Sequence, residues 1–136
     1  MIWTEESPRR GDIIRTKVTF YHHYGIFVEE DRVIQFGLPD NVYQPADTIR
    51  VLASDVYAFL NGGELEVGRP DKDEQKTMRR PDEIVAAAEA RIGEGGYDIL
   101  HNNCEHFVNE CAFGQKHSSF LQDVRIKLRK KLGKEA

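Results

Sequence analysis

The sequence predicts an α+β fold in a single domain, and three observations carry that prediction. Runs of β-type residues crowd the first third of the chain, at Ile13 to Phe20, His22 to Val28 and Arg32 to Phe36. Clear helical signals come later, one opening at Pro81 and one near Asn103. The length, 136 residues, suits one packed core and is short for two.

Each element has a local cause. Gly11-Asp12 opens the first run, where Ile14, Thr16, Val18 and Phe20 alternate onto one face. The charged stretch Glu29-Glu30-Asp31 separates the next two runs and reads as a hairpin turn, which Gly37-Leu38-Pro39-Asp40-Asn41 closes. Ser54 to Leu60 reads as a short helix capped by Ser54 and stopped by Asn61-Gly62-Gly63. Glu64 to Gly68 reads as a strand with Leu65 and Val67 on one face, and Arg69 to Arg80 as a charged connector with nothing to bury. Pro81 at a first helical position, with Asp82 and Glu83 behind it, starts a helix whose apolar stripe is Ile84, Val85, Ala88 and Ile92. Tyr97 to Leu100 is a link, and a second helix runs from about Asn103 to Phe113, closed by Gly114. Over the last residues Leu121, Val124, Leu128 and Leu132 repeat at helical spacing beneath a basic face.

Composition excludes several classes. The net charge of −4 and pI near 5.7 argue against the basic surface of a nucleic-acid binder. No apolar run approaches the roughly 20 residues of a membrane span. The first residues lack the basic start and apolar centre of a secretory signal, so a cytoplasmic location is expected. Cys104 and Cys111 lie too far apart along one helix for a disulfide and read as free thiols, with Cys111 in the core.

The informative stretch is Asn102-Asn103-Cys104-Glu105-His106-Phe107-Val108. Asn102 with Glu105 resembles a capping box, which puts Cys104 in the first turn of a helix. There the dipole and the unpaired N–H groups favour a thiolate, and the same N–H groups suit a tetrahedral oxyanion. A nucleophilic thiol needs a base. His106 stands two residues on and faces elsewhere. The hairpin supplies His22 and His23, on opposite faces of a strand, so one of them can look toward Cys104. With a three-residue loop at 29–31, Val28 pairs with Arg32 and Gly25 with Gln35. His23 and Gln35 are then diagonal neighbours, and the Gln carbonyl can accept from one imidazole nitrogen and leave the other for the thiol proton.

His23-Tyr24-Gly25-Ile26-Phe27-Val28, the turn, Arg32-Val33-Ile34 and the later Asn103-Cys104-Glu105-His106-Phe107-Val108 resemble the lecithin retinol acyltransferase (LRAT) family. That family sits in the circularly permuted, NlpC-type branch of the papain-like superfamily. The resemblance covers roughly residues 10 to 115. It implies an antiparallel sheet packed against a helix that starts with the catalytic cysteine, and acyl transfer through a thioester. It casts Cys104 as nucleophile and His23 as base, and it sets Gln35 where animal members usually carry a histidine. Asn103 and Tyr24 then shape the site and its oxyanion subsite. The domain is expected to span 1–115, with 116–136 a basic amphipathic helix on it or trailing it.

The expected function is therefore a thiol-dependent acyltransferase or acyl hydrolase on ester or amide bonds, with lipid donors possible. Alternatives are a peptidase or amidase of the same superfamily, and a non-catalytic binding module. No metal or other cofactor is expected, since His22, His23, Cys104 and His106 fit no common ligand spacing. The C-terminal basic face reads as solvated or partner-binding, with weak contact to an anionic membrane surface as its alternative.

Overall fold

The hairpin built from the aromatic and β-branched runs is the centre of the sheet. In the computed structural model, which describes residues 1–19, 21–40 and 43–114, β3 (Tyr21–Glu29) turns directly into β4 (Arg32–Phe36). On the other side of β3 lies β2 (Ile13–Val18), with Thr16 opposite His23. The remaining strands are β1 (Ile2–Thr4), β5 (Val51–Ser54) and β6 (Glu66–Arg69). All six pair antiparallel in the order β1-β6-β2-β3-β4-β5, so the α+β class and the antiparallel sheet are observed.

The turn differs from expectation in a useful way. Glu29 pairs with Arg32, so the loop has two residues, and a bulge between Phe27 and Glu29 restores the Gly25–Gln35 pairing. A two-residue loop without the bulge would slip the ladder by one. Gln35 would then lie on the face opposite His23.

The two sheet faces carry different partners. One face, with Tyr24, Ile26, Val28, Ile34 and Phe36, packs on α3 (Pro81–Glu89) and α4 (Cys104–Phe113) to form the larger core. Phe107 of α4 meets Phe36 edge-on at 6.2 Å. The other face, with Ile14, Phe27, Val33 and Val67, is closed by Phe59 of the short helix α1 (Val56–Leu60). Gly25 allows this, because a Cβ there would meet the Phe59 ring at 2.8 Å.

Several local expectations shift. The cap of α1 is Asp55, whose side chain accepts from Ala58 N at 2.8 Å, and not Ser54. The charged connector contains a helix, α2 (Lys72–Thr77), opened by an Asp71–Glu74 capping box, and it buries nothing. The helix from Pro81 ends at Glu89, so Ile92 falls beyond it and is exposed, whereas Ile84, Val85 and Ala88 are buried. Phe20 and the C-terminal helix expected over 116–136 lie outside the described residues. No described helix is long and apolar enough to cross a membrane.

Candidate active site

Cys104 occupies the first position of α4, one residue after the cap. The N-cap is Asn103, not Asn102: its Oδ1 accepts from Glu105 N at 2.9 Å and from His106 N at 3.0 Å. The reciprocal partner is His106, not Glu105, since its Nδ1 accepts the Asn103 main-chain N–H at 3.0 Å. His106 thus fixes the helix start and is buried. Asn103 Nδ2 donates to Ile99 O at 2.8 Å, which ties the preceding loop to the cap. The cap takes the Glu105 and His106 N–H groups, and the main-chain N–H of Cys104 lies beside its own thiol.

The thiol abuts β3. Cys104 Sγ lies 4.0 Å from the main-chain oxygen of His22, and Cys104 is only 4% exposed. Burial pushes the thiol up to about 11, a rise that the main-chain N–H groups of Tyr24, Cys104 and Glu105 partly oppose. The helix start alone favours a lowered value; desolvation outweighs it here, because N–H dipoles compensate a buried charge only in part. Cys111 is core, and burial pushes it to about 11 as well.

His23 projects to the face that carries Phe59, with the two rings 5.2 Å apart. It is wholly buried, and desolvation lowers it to about 4 although the Gln35 hydrogen bond favours the charged form. Its Nε2 lies 2.7 Å from Gln35 Oε1. Its Nδ1 is buried without a hydrogen-bond partner, as is Oγ1 of Thr16, the cross-strand neighbour. An unpartnered buried nitrogen costs about 1–3 kcal/mol, so its presence in a core points to use rather than packing. No hydrogen bond joins Cys104 Sγ to His23.

His22 points the other way, half-buried, with Nε2 3.9 Å from Glu66 and its ring 6.3 Å from Tyr24. Burial lowers its pKa, with Arg15 acting in the same direction. The Tyr24 ring lies 5.9 Å from that of Trp3, tilted by 60°, and burial raises its phenol to about 12. Together with Trp3, Arg15, Glu105 and Val108 it lines a cavity of about 230 Å³ beside the start of α4. The described residues contain no cluster of three or more His, Cys, Asp or Glu side chains able to hold a metal ion.

The sequence reading missed Ser54 as a site residue. Assigned there to a helix cap, it instead reaches Gln35, with Oγ 2.6 Å from Gln35 Nε2. The adjacent Ser54-Asp55 pair offered two possible caps, and only the structure shows which one is used.

The values at Cys104 and His23 describe a neutral pair. Burial raises the one and lowers the other, which favours the neutral forms over a preformed thiolate–imidazolium. Alkylation of Cys104 by iodoacetamide is therefore expected to rise with a midpoint well above the ordinary thiol value of about 8.5. Peptide mass spectrometry across pH 6 to 11 measures this, and a midpoint near or below 7 would show a preformed ion pair instead.

A family model for lecithin retinol acyltransferase matches residues 6–117. Lecithin retinol acyltransferase of Homo sapiens is 29% identical over 147 residues, covering 90% of this chain and 64% of its own length. The Bos taurus protein of the same name is 29% identical over 145 residues, covering 88% and 63%. Phospholipase A and acyltransferase 3 of Homo sapiens is 29% identical over 129 residues, covering 88% of this chain and 80% of its own. The chain thus spans a little under two thirds of the lecithin retinol acyltransferases it matches.

Proposed function

Because the chain belongs to the lecithin retinol acyltransferase family, we propose that it is a thiol-dependent acyltransferase or acyl hydrolase with Cys104 as nucleophile and His23 as general base. The observation that carries this reading is the buried imidazole of His23. One of its nitrogens is held by Gln35 and the other is unpartnered, and Cys104 Sγ reaches the main chain of the neighbouring strand residue. The relatives are named for lecithin, phospholipase and acyltransferase activities, which makes phosphatidylcholine the first donor to offer.

The chemistry follows from the neutral pair. Sγ attacks the carbonyl carbon of the donor while His23 Nδ1 takes its proton, so the thiolate never stands alone. The hydrogen bond between thiol and imidazole forms in the substrate complex, since such contacts commonly tighten only there. The N–H of Cys104 receives the oxyanion. The intermediate collapses to a thioester as the carbon–oxygen or carbon–nitrogen bond breaks, and His23 returns the proton to the leaving group. Water, an alcohol or an amine then attacks the thioester while His23 takes its proton, the carbon–sulfur bond breaks, and His23 returns that proton to the departing Cys104 sulfur.

A second reading is favoured by one observation: the thiol is almost wholly buried and has no hydrogen bond to the imidazole. On that reading the chain is a binding module that keeps the fold. The two part on one experiment. The protein is incubated with phosphatidylcholine vesicles and with soluble ester and amide donors, quenched in acid, and its peptides are weighed. An acyl mass on the Cys104 peptide, absent from Cys111, is expected. No adduct and no fatty-acid release from any donor would leave the binding module.

A further inference from the structure

We propose that Ser54 is a positioning residue that determines which nitrogen of His23 carries the proton. Its catalytic consequence rests on the acyl-transfer reading above, whereas the hydrogen-bond direction does not.

Ser54 Oγ lies 2.8 Å from the main-chain oxygen of Asp55 and 2.6 Å from Gln35 Nε2. A hydroxyl has one hydrogen, and a carbonyl oxygen can only accept. The Ser54 proton therefore goes to Asp55 O, and the Ser54 lone pairs receive the amide N–H of Gln35. That orientation turns Gln35 Oε1 to His23 Nε2, at 2.7 Å. An oxygen facing a ring nitrogen at hydrogen-bond distance requires an N–H there, so Nε2 carries the proton and Nδ1 keeps its lone pair.

The reversed amide would direct an N–H at Nε2 and move the ring proton to Nδ1, which makes no hydrogen bond of normal length, although the Gly37 main-chain oxygen lies near enough to the ring to favour its charged form. It would also draw the Ser54 hydroxyl away from Asp55 O. Each link therefore agrees with the next, from the start of α1 to the imidazole. Asp55 O accepts the Phe59 N–H as well, at 3.3 Å, and Phe59 is the ring that lies against His23. The segment from Ser54 to Phe59 thus sets the protonation of His23 at one end and its ring plane at the other. Gln35 alone cannot do this, because a carboxamide satisfies an imidazole in either orientation.

The test uses the full chain with ¹⁵N-labelled histidine, reading the two ring nitrogens of His23 by NMR alongside the rate of Cys104 acylation. Wild type is expected to show a protonated Nε2 and a bare Nδ1. Ser54→Ala is expected to lose that single tautomer and to acylate roughly 10-fold more slowly, a modest part of what a positioned base supplies. Ser54→Thr, which keeps the hydroxyl, is expected to recover both. A protonated Nδ1 in wild type, or an Nε2–H tautomer that persists in Ser54→Ala with an unchanged rate, overturns the inference and leaves the acyl-transfer reading standing. The expected tautomers in a protein that never acylates Cys104 would support the positioning and sink the catalytic reading instead.

Discussion

Cys104→Ser is expected to lower turnover of an acyl donor by a factor on the order of 10³ or more while leaving the fold intact. The substitution keeps the size of the side chain and its place at the start of α4, so the proposed oxyanion donor and base remain. What changes is the proposed nucleophile. A hydroxyl gives up its proton far less readily than a thiol, and the base it must use is itself a poor proton acceptor, held near 4 by burial. Stability is expected to fall by about 1–3 kcal/mol, because the buried hydroxyl lies beyond hydrogen-bond reach of His22 O, which is 4.0 Å from the sulfur in the wild type. Steady-state release of fatty acid measures the first quantity and urea unfolding the second. Full turnover in the serine variant would move the nucleophile elsewhere in the chain.

His23→Phe should change both activity and the response to acid. Phenylalanine fills the same space against Phe59, and turnover is expected to fall by about 10²–10⁴, the usual worth of a positioned base. In the wild type the folded state resists a proton that the unfolded chain takes up freely. The imidazole titrates at 6.5 when unfolded and at about 4 when folded, so between those values the unfolded state binds more protons. Stability is thus fully present above about pH 6.5 and declines as pH falls toward 4, by roughly 3 kcal/mol over the window. His22, also lowered by burial, adds to the decline in the same direction. The phenylalanine variant loses the Gln35 hydrogen bond at every pH, yet its stability should fall less steeply on acidification. Urea titrations from pH 7.5 to 4 compare the slopes, and equal slopes would mean that His23 is not the buried neutral group described.

Much of the site was legible because its signals are local. Asparagine before cysteine at a helix start, followed by apolar residues at helical spacing, needs only near neighbours to be read. Even there the cap was placed one residue early, since Asn102 and Asn103 are equivalent by propensity. Only the His106 ring on the Asn103 N–H distinguishes them. The same ambiguity between adjacent cap residues hid Ser54 behind Asp55. β1 and β5 went unread for another reason: short strands owe their pairing to partners distant in sequence, Ile2 to Arg69 and Val51 to Phe36.

The α+β class, the central hairpin, a helix with Cys104 in its first turn and residue types that suit thiol chemistry are all legible in the residues alone. These follow from periodicity, turn residues and caps, which act over a few residues. Tertiary structure decided what those groups are able to do. A one-residue bulge near Val28 chose the face that Gln35 shares with His23. Packing against β3 buried the thiol and raised it, where the helix start alone would lower it. Both outcomes depend on the register of strands and the exclusion of water, and these exist only once distant segments have come together.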